Sequence, residues 1–569
     1  MTSPKFCERR LVTDPEIEVP VLIVGGGSVG LCSSLLLSYH GVSSLLIEKH
    51  SGTSLYPKAR VLNSRSMEIF RQCGVEEAIR QVSLPPESSG YALWVNTLAD
   101  GKEMQRRKVI AAAPDESYNS LTPTPGCTTS QDALEPVLLK AAQRSFPDSH
   151  SQIRFDNELV ELQQQSQCVT ATLIDLKSTG KKRIRAKYVI GADGAHSRVR
   201  ELLGIGMIGG VIPGFVVNIL FRADLTPWVE GRSINLCFIR SARTRGVLAK
   251  LPQPNLWYFQ ESRLPPESPS PGDWAPDRCQ EVVRKAIGVE DLEVEIIRAA
   301  PWSSAARCAE RYVRGRVFLA GDAAHEMSVA GGFAMNTGIQ EAHNLTWKMA
   351  AVIKGFAGHG LLETYATERE PVGKWVVDQT LRNLLSVMAA VEPKGGGGGS
   401  LESRPAGPTG RPEFFNELGL IFGATYQSNA VIPDGSAAPL LTNPVTEYRP
   451  TARPGSRAPH MWFRKEGRRV STTDLLGPFM LLLAGEKGEA WYAAATEIGM
   501  SVGFSCAYTV GQAGDLVDEE SSWLQAFAVE PDGAVLIRPD GYVSWRSRTS
   551  NAGARRELSS VLNRVLQIG

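Results

Sequence analysis

The stretch from Val21 to His50 reads VLIVGGGSVGLCSSLLLSYHGVSSLLIEKH. Its opening run, Val21 to Val24, is short, apolar and mostly β-branched, and it meets glycine at once, which suits a buried parallel strand better than a helix. Gly25, Gly27 and Gly30 satisfy G-x-G-x-x-G, and Leu31 to Tyr39 can form the helix that follows. Gly25 permits a tight turn, Gly27 lets the backbone approach a pyrophosphate, and Gly30 allows close packing of helix on strand. The helix start offers N–H groups and a positive dipole end to phosphate. Ser44 to Ile47 reads as a second strand, and Glu48, 18 residues after Gly30, stands where an acid binds ribose hydroxyls. Strand, glycines, helix, strand and acid in that order predict an adenine dinucleotide site and leave NAD and FAD undistinguished.

The rest of the 569-residue chain sets the frame. It is 43% hydrophobic, enough for a large core divided into two or three domains. Its 61 basic and 60 acidic residues create no field that favours nucleic acid or an anionic membrane. Nine scattered cysteines without a C-x-x-C pair, and an N-terminus without a basic-then-apolar signal, predict a reduced cytoplasmic protein. The longest apolar block, Leu475 to Gly485, is too short to span a bilayer and reads as a core strand. Gly395 to Ser400 is GGGGGS, a flexible linker or an engineered replacement for one.

Two later motifs join an acid to glycine at a strand end. YVIGADGAHSRVRELLGI from Tyr188 carries Asp193-Gly194, and GRVFLAGDAAHEMSVAGGFAMNTGIQEAHNLTWKMA from Gly315 carries Gly321-Asp322. Such acids can accept hydrogen bonds from sugar or ribityl hydroxyls. From Asn336 onward, Ile339, Ala342, Thr346, Met349 and Ile353 follow helical spacing, which puts Gly331 to Met335 at a helix N-terminus. His325 and His343 have no metal-ligand spacing, and no metal is expected.

Together with YPKARVLNSRSMEIFRQCGV (Tyr56 to Val75) and SQDALEPVLL (Ser130 to Leu139), these motifs resemble the single-component FAD-dependent aromatic and polyketide monooxygenases, the group of para-hydroxybenzoate and phenol hydroxylases. The resemblance covers nearly the whole chain. It implies an α/β fold: a Rossmann-type FAD-binding domain, discontinuous over 1–205 and 300–390, and a β-sheet substrate domain over 206–299. A flexible loop at 391–412 would lead to a C-terminal region, 413–569, with a thioredoxin-like domain. It implies bound FAD, NADPH or NADH as a transient reductant, and O₂ as co-substrate. A flavin C4a-hydroperoxide would then hydroxylate a bulky phenolic or polyketide substrate.

Carried onto this sequence, the resemblance places Gly25, Gly27 and Gly30 at the pyrophosphate and Glu48 at the adenosine ribose. Arg60 would meet flavin phosphate or the docking nicotinamide cofactor, and Gln131 the diphosphate or ribityl side. Asp193 would serve the site shared by both cofactors, and Gly321 and Asp322 the ribityl chain. Met335 and Asn336 open the helix whose dipole faces the flavin N1 and C2 carbonyl. The absence of a second strand-glycine-helix fingerprint agrees with a nicotinamide cofactor that binds only briefly. Strand-like segments between Val211 and Ala299 offer Asn218, Asn235, Phe238 and Phe259 as substrate-wall candidates, and no arginine there is assignable to a substrate carboxylate. Cys506 alone in the C-terminal region cannot form a redox pair, which leaves that domain a structural or homodimer-forming role.

The sequence departs from the family in one place. Where two prolines usually follow the histidine of the GD motif, this chain has Met327-Ser328-Val329, and Ala334 replaces a common glycine. Proline removes an N–H donor and fixes φ, so these residues are the candidates for altered chemistry beside the flavin. Baeyer-Villiger or epoxidising oxygen transfer, and a FAD-binding protein without turnover, are the alternatives.

Overall fold

A computed structural model of the chain describes residues 17–109, 115–144, 151–212, 215–241, 244–263, 274–389, 415–499, 504–550 and 553–568. The glycine-rich segment 391–412 lies outside the described residues.

The apolar run at Val21 is the inner half of a strand, Ile17–Val24, at the centre of an eight-stranded sheet. It pairs in parallel with Ser44–Ile47 on one side and Lys181–Gly191 on the other. Val317–Leu319 extends the sheet in parallel beyond Lys181–Gly191. The register aligns Val24 with Ile47 and with Gly191, and Gly191 with Leu319. Four strands therefore end on one edge, the edge where open α/β sheets bind ligands. Helices Ser28–Tyr39 and Ala334–Ile353 cover one face, and their contact is close because a Cβ on Gly338 would lie 2.5 Å from Val29 Cγ2.

A second, seven-stranded sheet runs Glu295–Trp302, Phe215–Arg222, Leu256–Arg263, Arg245–Lys250, Ile234–Arg240, Tyr91–Val95, Glu103–Lys108. All neighbours are antiparallel except Ile234–Arg240 with Tyr91–Val95. The last two strands come from the region expected to belong wholly to the nucleotide domain, and Glu295–Trp302 crosses the expected boundary at 299. The cause is a parallel pairing over more than a hundred residues of chain, which local periodicity does not register.

The period-two alternation of a strand gives this sheet two different faces. Val217, Ile219, Phe221, Cys237, Ile239, Trp257 and Phe259 pack under the helix Pro276–Ile287, whose Val282, Val283, Ala286 and Ile287 complete that core. The alternate residues, among them Trp94, Leu220, Phe238 and Tyr258, pack on the other face.

A third sheet holds the C-terminal region. Met480–Gly485, entirely buried as the sequence predicts, is parallel to Phe504–Gly511 and antiparallel to Ala534–Ile537. Leu482, Ala484 and Leu536 pack on helices Glu489–Ile498 and Ala554–Val565, while Leu481, Leu483 and Val535 face Trp523 and Phe527. This region is joined to the first through buried ions. Arg457 donates to both carboxylate oxygens of Glu68, and Arg538 makes a two-pronged pair with Glu368 at 2.6 and 2.8 Å. Among the described residues no helix is long and apolar enough to cross a membrane.

Candidate active site

The aligned strand ends bring Gly25, Glu48, Asp193 and Asp322 to one edge. Gly25 has φ +110°, and a Cβ there would lie 2.2 Å from Ala192 O, so the turn excludes side chains. Gly27 differs: a Cβ there would meet only Glu135 Oε1, at 3.7 Å. Gly27 is also the N-cap of Ser28–Tyr39 and supplies no side-chain cap, which leaves the helix start open to an anion. Glu48 accepts Gly26 N–H at 2.6 Å and pairs with His50 at 2.5 Å, at the sugar end of that path. This arrangement fits the pyrophosphate and ribose of FAD.

Glu135 was not singled out from the sequence. Its carboxylate is buried and accepts from Ser28 Oγ (3.1 Å), Gln131 Nε2 (2.6 Å) and Ser54 N (2.7 Å). Gln131 thus reaches the glycine loop through Glu135, one helical turn further along. The signal available was the i, i+4 spacing of the two residues.

The two later acids behave differently. Asp193 accepts Ser197 Oγ at 2.5 Å and Val199 N at 3.0 Å, so its carboxylate organises the start of the helix Arg198–Leu202, and burial raises its pKa despite those bonds. Asp322 is open to solvent at the mouth of its strand, yet the dense protein around it raises its pKa, with His325 and Lys58 opposing. Behind it, Glu341 accepts Gly321 N at 2.9 Å and pairs with His325 Nε2 at 2.8 Å, wholly buried. Burial pushes the His325 pKa down, but Glu341 outweighs it and the net direction is up. This buried pair fixes the turn that presents Asp322. Asp322→Ala is expected to weaken FAD retention by about 1.5–3 kcal/mol, the worth of a charge-assisted hydrogen bond, in a titration of apoprotein with FAD. Unchanged affinity in a folded variant would contradict the ribityl assignment.

The loop after His325 separates the remaining candidates. Ser328 is buried and its hydroxyl accepts Ala330 N at 3.2 Å, whereas Val329 is 46% exposed and faces open space. Met327 packs among Tyr118, Phe333, Val372 and Val376, and so lies behind the loop. Gly331 and Gly332 have φ +117° and +71°, after which Ala334–Ile353 begins without a side-chain cap. Met335 and Asn336 lie in the first turn of Ala334–Ile353. The Met335 side chain is in the core, and the Asn336 carboxamide bonds to Val61 O, Gly332 O, Asn63 N and Ser66 Oγ, fixing the turn.

On the sheet side, main-chain carbonyls and an aromatic ring hold the Arg60 guanidinium. It is buried, donates to Asn235 O and Lys250 O at 3.2 and 3.0 Å, and lies 5.5 Å over the Tyr258 ring. That burial lowers its pKa. Asn235 is a joint as well, donating to Ser89 O and Thr128 Oγ1. Phe259 does not belong to the wall, because its strand parity turns it into the core under Pro276–Ile287. Asn218 and Phe238 do lie on the opposite face. Asn218 Oδ1 accepts Gln260 Nε2 at 3.1 Å, and Phe238 stacks on Trp94 with centroids 4.7 Å apart and planes 3° from parallel, beside Ala330 of the loop. Trp94 went unnoticed in the sequence because its strand was not assigned to this sheet.

Comparison with known proteins agrees with this geometry. Residues 18–380 match the family described as FAD binding domain, and residues 451–567 match aromatic-ring hydroxylase, C-terminal. The tetracenomycin A2 monooxygenase-dioxygenase of Streptomyces glaucescens is 38% identical, the alignment covering 96% of this chain and 97% of that protein. Among solved structures, the flavin-dependent monooxygenase PieE in complex with FAD and substrate superposes with TM-score 0.90 at 33% identity, covering 98% of this chain and all (100%) of that one. A ternary complex of aklavinone-11 hydroxylase with FAD and aklavinone gives TM-score 0.83 at 33% identity, covering 97% of this chain and 100% of that one. The chain belongs to the FAD-dependent aromatic-ring hydroxylases and is a flavin monooxygenase.

Proposed function

We propose that this monooxygenase hydroxylates a planar, multi-ring phenol of polyketide type, consuming NADPH or NADH and O₂ and releasing water and the oxidised nucleotide. The observation that carries the reading is the parallel Trp94–Phe238 pair on the sheet face beside Ala330 of the flavin-side loop. Offset-stacked and edge-on ring contacts favour flat aromatic ligands. The relatives that act on tetracenomycin A2 and bind aklavinone support the same class.

FAD, when bound, would supply the redox and oxygen-transfer chemistry. The chain holds and orients. Gly27 and the open start of Ser28–Tyr39 receive phosphate, and Asp322 holds a ribityl hydroxyl. The uncapped start of Ala334–Ile353 offers its dipole to negative charge on the ring system. Ser328 and Val329 stand where the family usually has two prolines, so the loop keeps two N–H groups and is less stiff.

The test is aerobic NADPH oxidation by the yellow holoenzyme with aklavinone and with phenol. Stimulation by the multi-ring compound, with a product heavier by one oxygen and its position fixed by NMR, is the expected result. Equal stimulation by phenol, or none by any multi-ring phenol, counts against the reading.

A further inference from the structure

We infer that Phe415 is a specificity-determining wall of the substrate site, and that Asn383 and Glu417 fix its position relative to the flavin-side loop. The inference rests on the substrate reading above. Phe415 has φ +71°, a left-handed conformation that a bulky aromatic residue adopts only where its surroundings impose it and that clusters at functional sites. Its ring meets Trp94 at 6.2 Å and Phe238 at 6.4 Å, edge-on to both, with interplanar angles of 70° and 69°. Trp94 and Phe238 are parallel to each other, and Phe415, almost equidistant from the two, closes the side of their stack. Trp94 is fully buried, while Phe415 is only half-buried.

Two residues further on, Glu417 is buried and accepts Asn383 Nδ2 at 3.3 Å. The same Nδ2 reaches Ala330 O at 3.3 Å, and Asn383 Oδ1 accepts Gln379 Nε2 at 2.9 Å. Asn383 and Gln379 lie on the long helix Gly360–Ala389, and both are buried. Ala330 follows Val329 and itself packs with Trp94 and Phe238. One carboxamide thus ties the Phe415 segment to the loop on which the residues beside the flavin sit. On the far side the segment is anchored by the helix Leu418–Phe422, with Leu420, Ile421 and Phe422 buried and Gly419 N donating to Val445 O at 2.9 Å. A flat ligand against this wall meets the Phe415 edge, which sets how far its ring system extends.

The test measures equilibrium binding of aklavinone and of 1-naphthol to FAD-loaded enzyme, through perturbation of the flavin absorbance spectrum. In Phe415→Gly, which removes the ring and relieves the backbone, 1-naphthol binding should weaken at least fivefold relative to aklavinone, with FAD retained. Phe415→Leu serves the same purpose at a smaller amplitude if the glycine variant does not fold. Asn383→Leu should shift the selectivity in the same direction, and the double variant Phe415→Gly/Asn383→Leu should shift it no further than the larger single change. Unchanged selectivity in folded variants, or fully additive shifts, overturns the inference while leaving the substrate reading intact. Binding of neither probe by the unaltered enzyme overturns the substrate reading and this inference with it.

Discussion

Gly30→Val is expected to yield protein that purifies colourless and takes up added FAD at least ~100-fold more weakly than the parent. A Cβ at Gly30 would lie 1.9 Å from Gly25 O, far inside van der Waals contact with backbone. Gly25 has little room to retreat, because its N–H is bonded to Ile47 O at 2.8 Å and even a Cβ on it would lie 2.2 Å from Ala192 O. The helix Ser28–Tyr39 would have to lift from the sheet, and with it the open helix start at Gly27. Overpacking costs about 1–3 kcal/mol, at the upper end where backbone blocks relief as here, and 1.4 kcal/mol is a factor of ten in affinity. Gly52→Ala is the matching control, since nothing lies within 4 Å of its added Cβ. The measurement is a fluorescence titration of apoprotein with FAD alongside a urea unfolding curve. Parental affinity in the Gly30 variant would show that this packing does not set the phosphate site.

That contact is local, and local features were the legible ones. The strand, the three glycines and Glu48 lie within thirty residues, and Asp193 and Asp322 stand beside glycine at strand ends, so a window of sequence displays them. What a window does not display is which face of a sheet is covered. Phe238 and Phe259 read alike as aromatic residues in strands, yet one packs beside Ala330 and the other in the core, because Pro276–Ile287 packs on only one side. Trp94 meets Phe238 through a strand pairing that no local pattern announces. Arg60 and Asn336 were placed by motif position. Their partners, Lys250 O and Asn63 N among them, come from remote chain and turn both into joints. Asn383 and Phe415 carried no motif at all, and their meaning comes from Ala330 and Trp94, each far away in sequence.

The same non-local logic gives Arg538 a central place in the fold. It has no exposed side-chain surface, pairs with both oxygens of Glu368, and contacts Asp540 at 3.0 Å from Nε and 2.5 Å from Nη2. Glu368 also accepts from Lys348 Nζ, Asn344 Nδ2 and Ser428 Oγ. Lys348 and Asn344 sit on Ala334–Ile353 and Glu368 on Gly360–Ala389, so the cluster locks the C-terminal sheet onto these two helices. Arg538→Met removes one charge and leaves two carboxylates buried around Lys348, a change expected to cost about 3–5 kcal/mol of stability at pH 7. Burial alone would raise the Glu368 pKa, but Arg538 and Lys348 outweigh it and hold the group well below the usual carboxylate range. A depressed carboxylate contributes stability that is complete above its unfolded pKa, about 4.3, and is lost as pH falls below that value toward the folded one. Removing Arg538 abolishes much of that depression. The gap between parent and Arg538→Met in urea midpoint should therefore be widest near pH 7 and should shrink as pH is lowered from about 5 to 3. A gap that stays constant or widens on acidification would mean that the cluster contributes through packing against Trp347 and Tyr426 rather than through its charges.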